Sequence, residues 1–317
     1  MGKSLKQIYV LLRGRIGNQL FIYSCARELQ FKSGNNTEII IDDSEVLHFN
    51  WENSLIHYDL PNVRYVHNRK NLHNPKWILM YIALKVAIRL TSCGNNYEKK
   101  YKREQFLRSI LNFMGIMLCE NGFLNFKVGK RKKYLISGYF QSKKYFTSTN
   151  EDLKNRFALK NAINDYPNIE QLRTNNSVCI SVKIEHNIGS SLYAVCGKEY
   201  WQEAIDYVIS KVDNPLFFIC SDNVEYVKEH LIDCSKYRVI FQDKSQPVHL
   251  TLAAMGQCKH FIIGNTSYGW WAQYLSDNPH KIVVVPNQWM LVKMPIDIYE
   301  NHWHLIDVKK YLGNKGL

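Results

Sequence analysis

Between residues 178 and 285 the chain repeats one alternation, which restricts its fold more than any other feature. Short apolar runs of strand length stand at Val178–Val182, Leu216–Cys220, Arg238–Phe241, Phe261–Ile263 and Ile282–Val285. Helical stretches accompany them at Tyr200–Val212, Val224–Leu231, Val248–Cys258 and Tyr268–Leu275. Strand and helix in alternation is the pattern of right-handed crossover units around a parallel sheet. Such sheets take ligands in the crevice outside the carboxyl ends of their strands.

The N-terminal half opens the same way. Ile8–Leu12 reads as a strand, Arg13–Asn18 as a glycine-containing turn and Gln19–Lys32 as a helix. Phe21, Cys25 and Leu29 recur every four residues and mark one apolar face of that helix. Glu38–Ile41 is the next strand, whereas residues 62–135 are less regular, basic and aromatic. A chain of 317 residues is too long for one small core. The class expected is α/β, with two Rossmann-like domains facing a cleft. Residues 1–160 form the first of these domains and 161–317 the second.

Charge narrows the partners. Lys and Arg number 41 against 28 Asp and Glu, a net +13, which favours an anionic ligand. Nucleic acid is not expected, because no RNP-type strand, zinc finger or basic heptad region is present. The eight cysteines form no C-x-x-C pair and sit mostly in apolar runs, as reduced, buried thiols would. The apolar run Ile8–Leu12 is too short for a secretory signal, and Lys6 stands where a myristoylation motif needs Ser or Thr. A cytoplasmic protein is expected.

One segment complicates that picture. Trp77–Leu84 is apolar but far too short to span a bilayer, and Lys76, Lys85 and Arg89 bound it. Lys99, Lys100, Lys102, Arg103 and Arg108 follow, then Arg131, Lys132 and Lys133. Two readings stand: a helix lying peripherally on the inner face of the plasma membrane, or a buried helix with a solvated basic rim.

No D-x-D occurs among the 13 aspartates. Holding a donor diphosphate through a divalent metal usually takes such a carboxylate pair. A site without metal or other cofactor must neutralise the diphosphate with cationic side chains and backbone N–H groups.

Gly14-Arg15-Ile16-Gly17-Asn18-Gln19 follows a strand and precedes a helix, where glycines let backbone approach a ligand. The stretch from Gly14 to Gln30 resembles the G-x-x-G-N-Q opening of glycosyltransferase family 11, the α-1,2-fucosyltransferases. Four further segments resemble that family in order: residues 134–146, 217–231, 258–275 and 281–289. The resemblance implies the metal-independent glycosyltransferase B fold. It also implies inverting transfer of an L-sugar from a GDP donor to a galactose-type hydroxyl of an O-antigen or capsule oligosaccharide, in some cases lipid-linked.

A departure accompanies the matches. The family's strand ends in H-x-R-R-G-D, whose Arg pairs with the donor β-phosphate. Here Ser181 replaces the His, Lys183 and Ile184 the two Arg, Glu185 the Gly and His186 the Asp. Lys183 keeps one positive charge without the two-pronged grip of a guanidinium. Thr251 stands where the family often has an acid that reads guanine. Three readings follow: an altered donor pocket for a deoxy relative of fucose such as colitose, an ordinary fucosyltransferase with compensating residues, or a catalytically silent glycan- or nucleotide-binding module.

Roles follow from the chemistry of inverting transfer, which needs a base and a stabilised leaving group. Lys183 would stabilise the diphosphate, and Glu185 or His186 would take the acceptor proton. Donor-binding candidates are Gly17, Asn18 and Gln19 in the first loop, then Ser181, Thr251, and Asn265, Thr266, Ser267 and Tyr268 at a strand-to-helix turn. Asp222 would touch the ribose or cap the helix after it. Trp270 and Trp271 are expected to pack rather than stack on a ligand.

Overall fold

The structure, a computed structural model, describes residues 6–34, 36–67, 74–129, 131–185 and 187–312. The chain packs as two compact units, Met1–Arg156 with Lys293–Ile298 and Phe157–Val292 with Tyr299–Leu317.

In chain order the first unit contains β1 (Gln7–Leu11), α1 (Ile16–Ser33), β2 (Glu38–Asp42), α2 (Ser44–His48) and β3 (Val63–Val66). It continues with α3 (Pro75–Ser92), α4 (Tyr97–Met114), β4 (Ile116–Cys119), β5 (Lys133–Gly138) and α5 (Asn150–Phe157), at whose end the chain passes into the second unit. Its sheet runs β3-β2-β1-β5-β4. Every described pairing in it is parallel. The order reverses between β1 and β5, so their carboxyl ends flank the switch point.

The second unit contains α6 (Ile169–Thr174), β6 (Ser177–Val182), α7 (Lys198–Ile209), β7 (Leu216–Ser221), α8 (Val224–Tyr226) and β8 (Arg238–Phe241). After these come α9 (Val248–Met255), β9 (His260–Ile263), α10 (Ser267–Leu275), β10 (Val283–Pro286), β11 (His304–Ile306) and α11 (Lys309–Leu312). Its sheet runs β11-β10-β9-β6-β7-β8, again all parallel, with the reversal between β6 and β9. Strands β6 and β7 are buried at every residue. Helices on both faces of a parallel sheet explain why these strands read as unbroken apolar runs.

Several expectations need correction. Helix α1 begins at Ile16, so Gly17 and Asn18 lie in its first turn and not in the preceding loop. Gly14, at φ +70°, reverses the chain quickly enough for extended Arg15 to serve as N-cap. Nor does α1 bury one face. Ile16, Gly17 and Gln19 through Gln30 are all buried. Its polar residues have dedicated partners: Arg27 donates to Asp152, Glu28 accepts from Ser148 and Thr149, and Gln30 donates to Thr37 and Pro61. Residues 62–135 hold two regular 18-residue helices, α3 and α4, capped by the side chains of Asn74 and Asn96. The stretch 224–231 is a single α turn followed by a π turn at Val227–Leu231.

Both helices of the α3–α4 pair pack on one face of the first sheet. Trp77, Met80, Leu84 and Leu111 share a core with Tyr9, Leu11, Ile40, Leu118 and Leu135. All eight cysteines are free, five of them buried and Cys93 exposed. Among the described residues, no helix is long and apolar enough to cross a membrane.

Candidate active site

In the second unit the carboxyl ends of β6 and β9 open onto a cavity of about 210 Å³. Its lining includes Lys183 and Ile184 from the segment after β6, Gly264 and Asn265 from the segment after β9, and Cys196, Trp201 and Tyr226. This is the crevice that the strand order predicts for a ligand.

Asp222 organises the segment after β6. One carboxylate oxygen accepts from the Lys183 ammonium at 2.5 Å and from the Glu185 amide at 3.0 Å, and the other accepts from the Ile184 amide at 2.8 Å. The arrangement follows from the sheet, because Val182 is registered with Ser221 on the neighbouring strand. Burial pushes the Asp222 carboxyl up, but the Lys183 hydrogen bond and the two amides outweigh it and hold the group below the usual range. The cap of α8 is Asn223, whose side chain accepts from the Tyr226 amide. Lys183 also donates to Glu185 at 3.3 Å. An ammonium has three donors, so two directions are fixed and one is left to point at a ligand. Ile184 is 9% exposed and packs into the core with Val182 and Trp201. His186 lies outside the described residues.

Asn265 fixes the other wall. It is 7% exposed, and its amide donates to the Tyr193 carbonyl at 3.1 Å and the Trp289 carbonyl at 2.9 Å. Its oxygen accepts from Asn187 and Cys196 at longer range. Thr266 is the N-cap of α10, accepting from the Gly269 amide at 2.9 Å. Ser267 opens that helix, whose positive dipole end therefore lies just past β9. Tyr268 donates to the Val248 carbonyl and ties α10 to α9. Gly269 allows α10 close to the sheet, since a Cβ there would lie 3.0 Å from the Ser181 hydroxyl and from Ile263. Ser181 is itself buried, and its carbonyl accepts from the Gly264 amide. Thr251, also buried, accepts from the Tyr166 hydroxyl at 3.3 Å. Trp270 and Trp271 are fully buried and pack edge to face.

The remaining predicted residues, Gly17, Asn18 and Gln19, belong to the first unit. Gln19 is fully buried; its amide donates to the Gly14 and Glu52 carbonyls while its oxygen accepts from the Ser54 amide. Asn18 accepts from Gln141 at 2.7 Å. Arg13 Nη1 donates to both carboxylate oxygens of Glu120, at 2.7 and 2.8 Å. Behind Glu120 sits Glu104, fully buried on α4. Burial pushes its carboxyl up to about 7 even though the Glu120 and Asn121 amides and the Asn121 side chain donate to it.

The structure thus brings Lys183, Glu185, Asp222 and Asn265 to neighbouring strand ends, and places Thr251 and Tyr268 in structural contacts. Sequence reasoning missed Cys196, Trp201, Tyr226 and the Glu104–Glu120 pair. The first three come from separate elements with no motif. Glu104 is hidden in a run of charges that reads as solvated, and Gln141 lies unremarked within the segment 134–146.

Comparison with known proteins agrees with this architecture. The chain is 23% identical to the O-antigen biosynthesis glycosyltransferase WbnK of Escherichia coli over 301 residues, 89% of this chain and 94% of that one. It is 24% identical over 197 residues to an alpha-1,2-colitosyltransferase of Escherichia coli, covering 58% of this chain and 67% of the relative. Among solved structures, the fold matches fucosyltransferase NodZ from Bradyrhizobium at a TM-score of 0.52 and 12% identity, over 89% of this chain and 95% of that one. NodZ alpha-1,6-fucosyltransferase co-crystallized with GDP matches at 0.54, with 11% identity, over 89% and 96%. The family description of glycosyl transferase family 11 matches residues 7–307, and the chain belongs to that family as a glycosyltransferase.

Proposed function

We propose that the protein moves L-fucose, or its deoxy relative colitose, from a GDP donor to a galactose-type hydroxyl of an O-antigen oligosaccharide. The linkage formed is α-1,2, the anomeric centre inverts, and no divalent metal is needed. The observation that carries this reading is the ammonium of Lys183, fixed by Asp222 at the strand-order reversal beside the N-terminus of α10. A leaving diphosphate needs cationic and amide donors at such a place.

In the reaction the bond between the anomeric carbon and the β-phosphate oxygen breaks, and GDP departs with the electron pair. The acceptor oxygen bonds to the opposite face of that carbon, and its proton passes to a base. Lys183 directs its remaining donor at the phosphate. Glu185, or His186 beside it in the chain, takes the proton. Asn265 and Thr266 shape the wall after β9, and Ser267 supplies an amide to the donor. Of the two positions that match the signature's paired Arg, Ile184 is committed to the core and Lys183 is the cationic one. The name of the colitosyltransferase relative supports a deoxy sugar as an alternative donor to fucose.

The test is transfer from GDP-fucose and from GDP-colitose to a galactose-terminated oligosaccharide, in the presence of a metal chelator. Transfer from one of them, giving an α-1,2 product by NMR, is expected. Glycan binding without turnover of either donor would identify a silent module. Activity that returns only with added magnesium would refute the metal-free site.

A further inference from the structure

The outer faces of α3 and α4 carry an apolar surface that a soluble helix pair would not need. On α3, Leu79, Ile82, Val86 and Leu90 are exposed by 53% to 61%. On α4, Phe106 and Phe113 are exposed by 77% and 76%. Both helices turn their opposite sides into one core on a single sheet face, so the exposed residues form the outside of one layer. Large contiguous apolar patches on a folded protein mark sites of interaction.

The charges around the patch say with what. Residues 75–114 contain eight Lys or Arg and two Glu, and one of those two, Glu104, is fully buried. Lys85 and Arg89 lie at helical spacing beside Ile82 and Val86, and Lys99, Lys102 and Arg103 continue the Phe106 stripe toward the N-terminus of α4. Arg131 lies over the Phe113 ring at 5.5 Å. An apolar strip edged by cations complements the acyl boundary and headgroups of an anionic bilayer. A second copy of the chain fits poorly, because a two-fold contact would press the same cations together.

We propose that the α3–α4 layer docks the protein on an anionic lipid surface, with Leu79, Ile82, Phe106 and Phe113 entering the acyl boundary and Lys85 and Arg89 meeting the headgroups. The helices lie along the surface; neither is long and apolar enough to cross it. Docking requires neither donor nor acceptor, so it stands or falls apart from the transfer reaction.

Vesicle flotation of the full chain tests this, comparing phosphatidylcholine alone with the same lipid containing a third phosphatidylglycerol. Flotation with the anionic vesicles, lost at high salt, is expected. The double variant Phe106→Ser, Phe113→Ser and the double variant Lys85→Glu, Arg89→Glu should each reduce binding by at least about tenfold. Circular dichroism and the thermal midpoint should stay near wild type, since these side chains face solvent. Equal binding to both vesicles, no binding at all, or a wild-type dimer that the Phe variant turns into a monomer would overturn the proposal.

Discussion

The two units handle the turn at their central strand end differently. After β1, Gln19 bonds to Gly14, Glu52 and Ser54, Asn18 accepts from Gln141, and Arg13 is locked on Glu120. Those side chains hold the turn in shape, and a Cβ at Gly14 would lie only 2.6 Å from Asn18 Nδ2. After β6, one carboxylate, Asp222, gathers two amides and an ammonium, and the ammonium keeps a donor in reserve. In the first turn Gln19 is buried and fully committed to packing, while Arg15 at the N-cap of α1 is exposed. The second keeps a charge in hand. If the chemistry lies where we propose, mutations in the two places should fail in different ways.

The sharpest contrast pairs two buried amides. Gln19→Ala strips partners from two carbonyls and an amide, and should lower stability by roughly 3–5 kcal/mol, read as a fall in the thermal or urea midpoint. Asn265→Ala removes a donor from the Trp289 carbonyl and one of the two donors on the Tyr193 carbonyl, which keeps the Val195 amide. It should lower stability by only about 2 kcal/mol while weakening GDP binding about tenfold, because Asn265 lines the cavity. Equal losses of stability with unchanged nucleotide affinity would erase the distinction.

A smaller effect sharpens the first unit alone. Glu104 holds its proton in the folded state up to about pH 7. The unfolded chain releases it near the ordinary glutamate value of about 4.3. Between those values the native state binds more protons, so stability is full below the lower one and falls as pH rises through the upper, by on the order of 3 kcal/mol. Burial pushes Glu120 in the same direction, against the pull of Arg13. Glu104→Gln should flatten most of that slope in urea denaturation across pH 4 to 8. An unchanged slope would mean that Glu104 ionises freely in the fold.

How much of this was legible in the chain depends on where the information sits. Strands β6 to β10 were readable to within one or two residues; in β6, β7, β9 and β10 burial on both faces writes a local apolar run, and in edge strand β8 a short half-exposed one sufficed. Strands β3, β4 and β5 were missed inside a basic region whose helices α3 and α4 carry apolar residues on two sides. Helix α1 was found but its burial was underestimated, since partners such as Asp152 and Ser148 come from far along the chain. The segment after β6 stood out as a candidate site because it follows the strand matched to the family's signature. That Asp222 would clasp Lys183 was not legible, because it depends on the β6–β7 register, and no local spacing encodes it.

The most direct measurement is GDP affinity by titration calorimetry in a metal chelator, for the wild-type protein and for Lys183→Ala. The wild type should bind without metal, and the variant, folded to the same thermal midpoint within a degree or two, should bind roughly 10 to 100 times more weakly, the worth of one charged hydrogen bond. Equal affinity in the two proteins would contradict the assignment of Lys183 to the diphosphate.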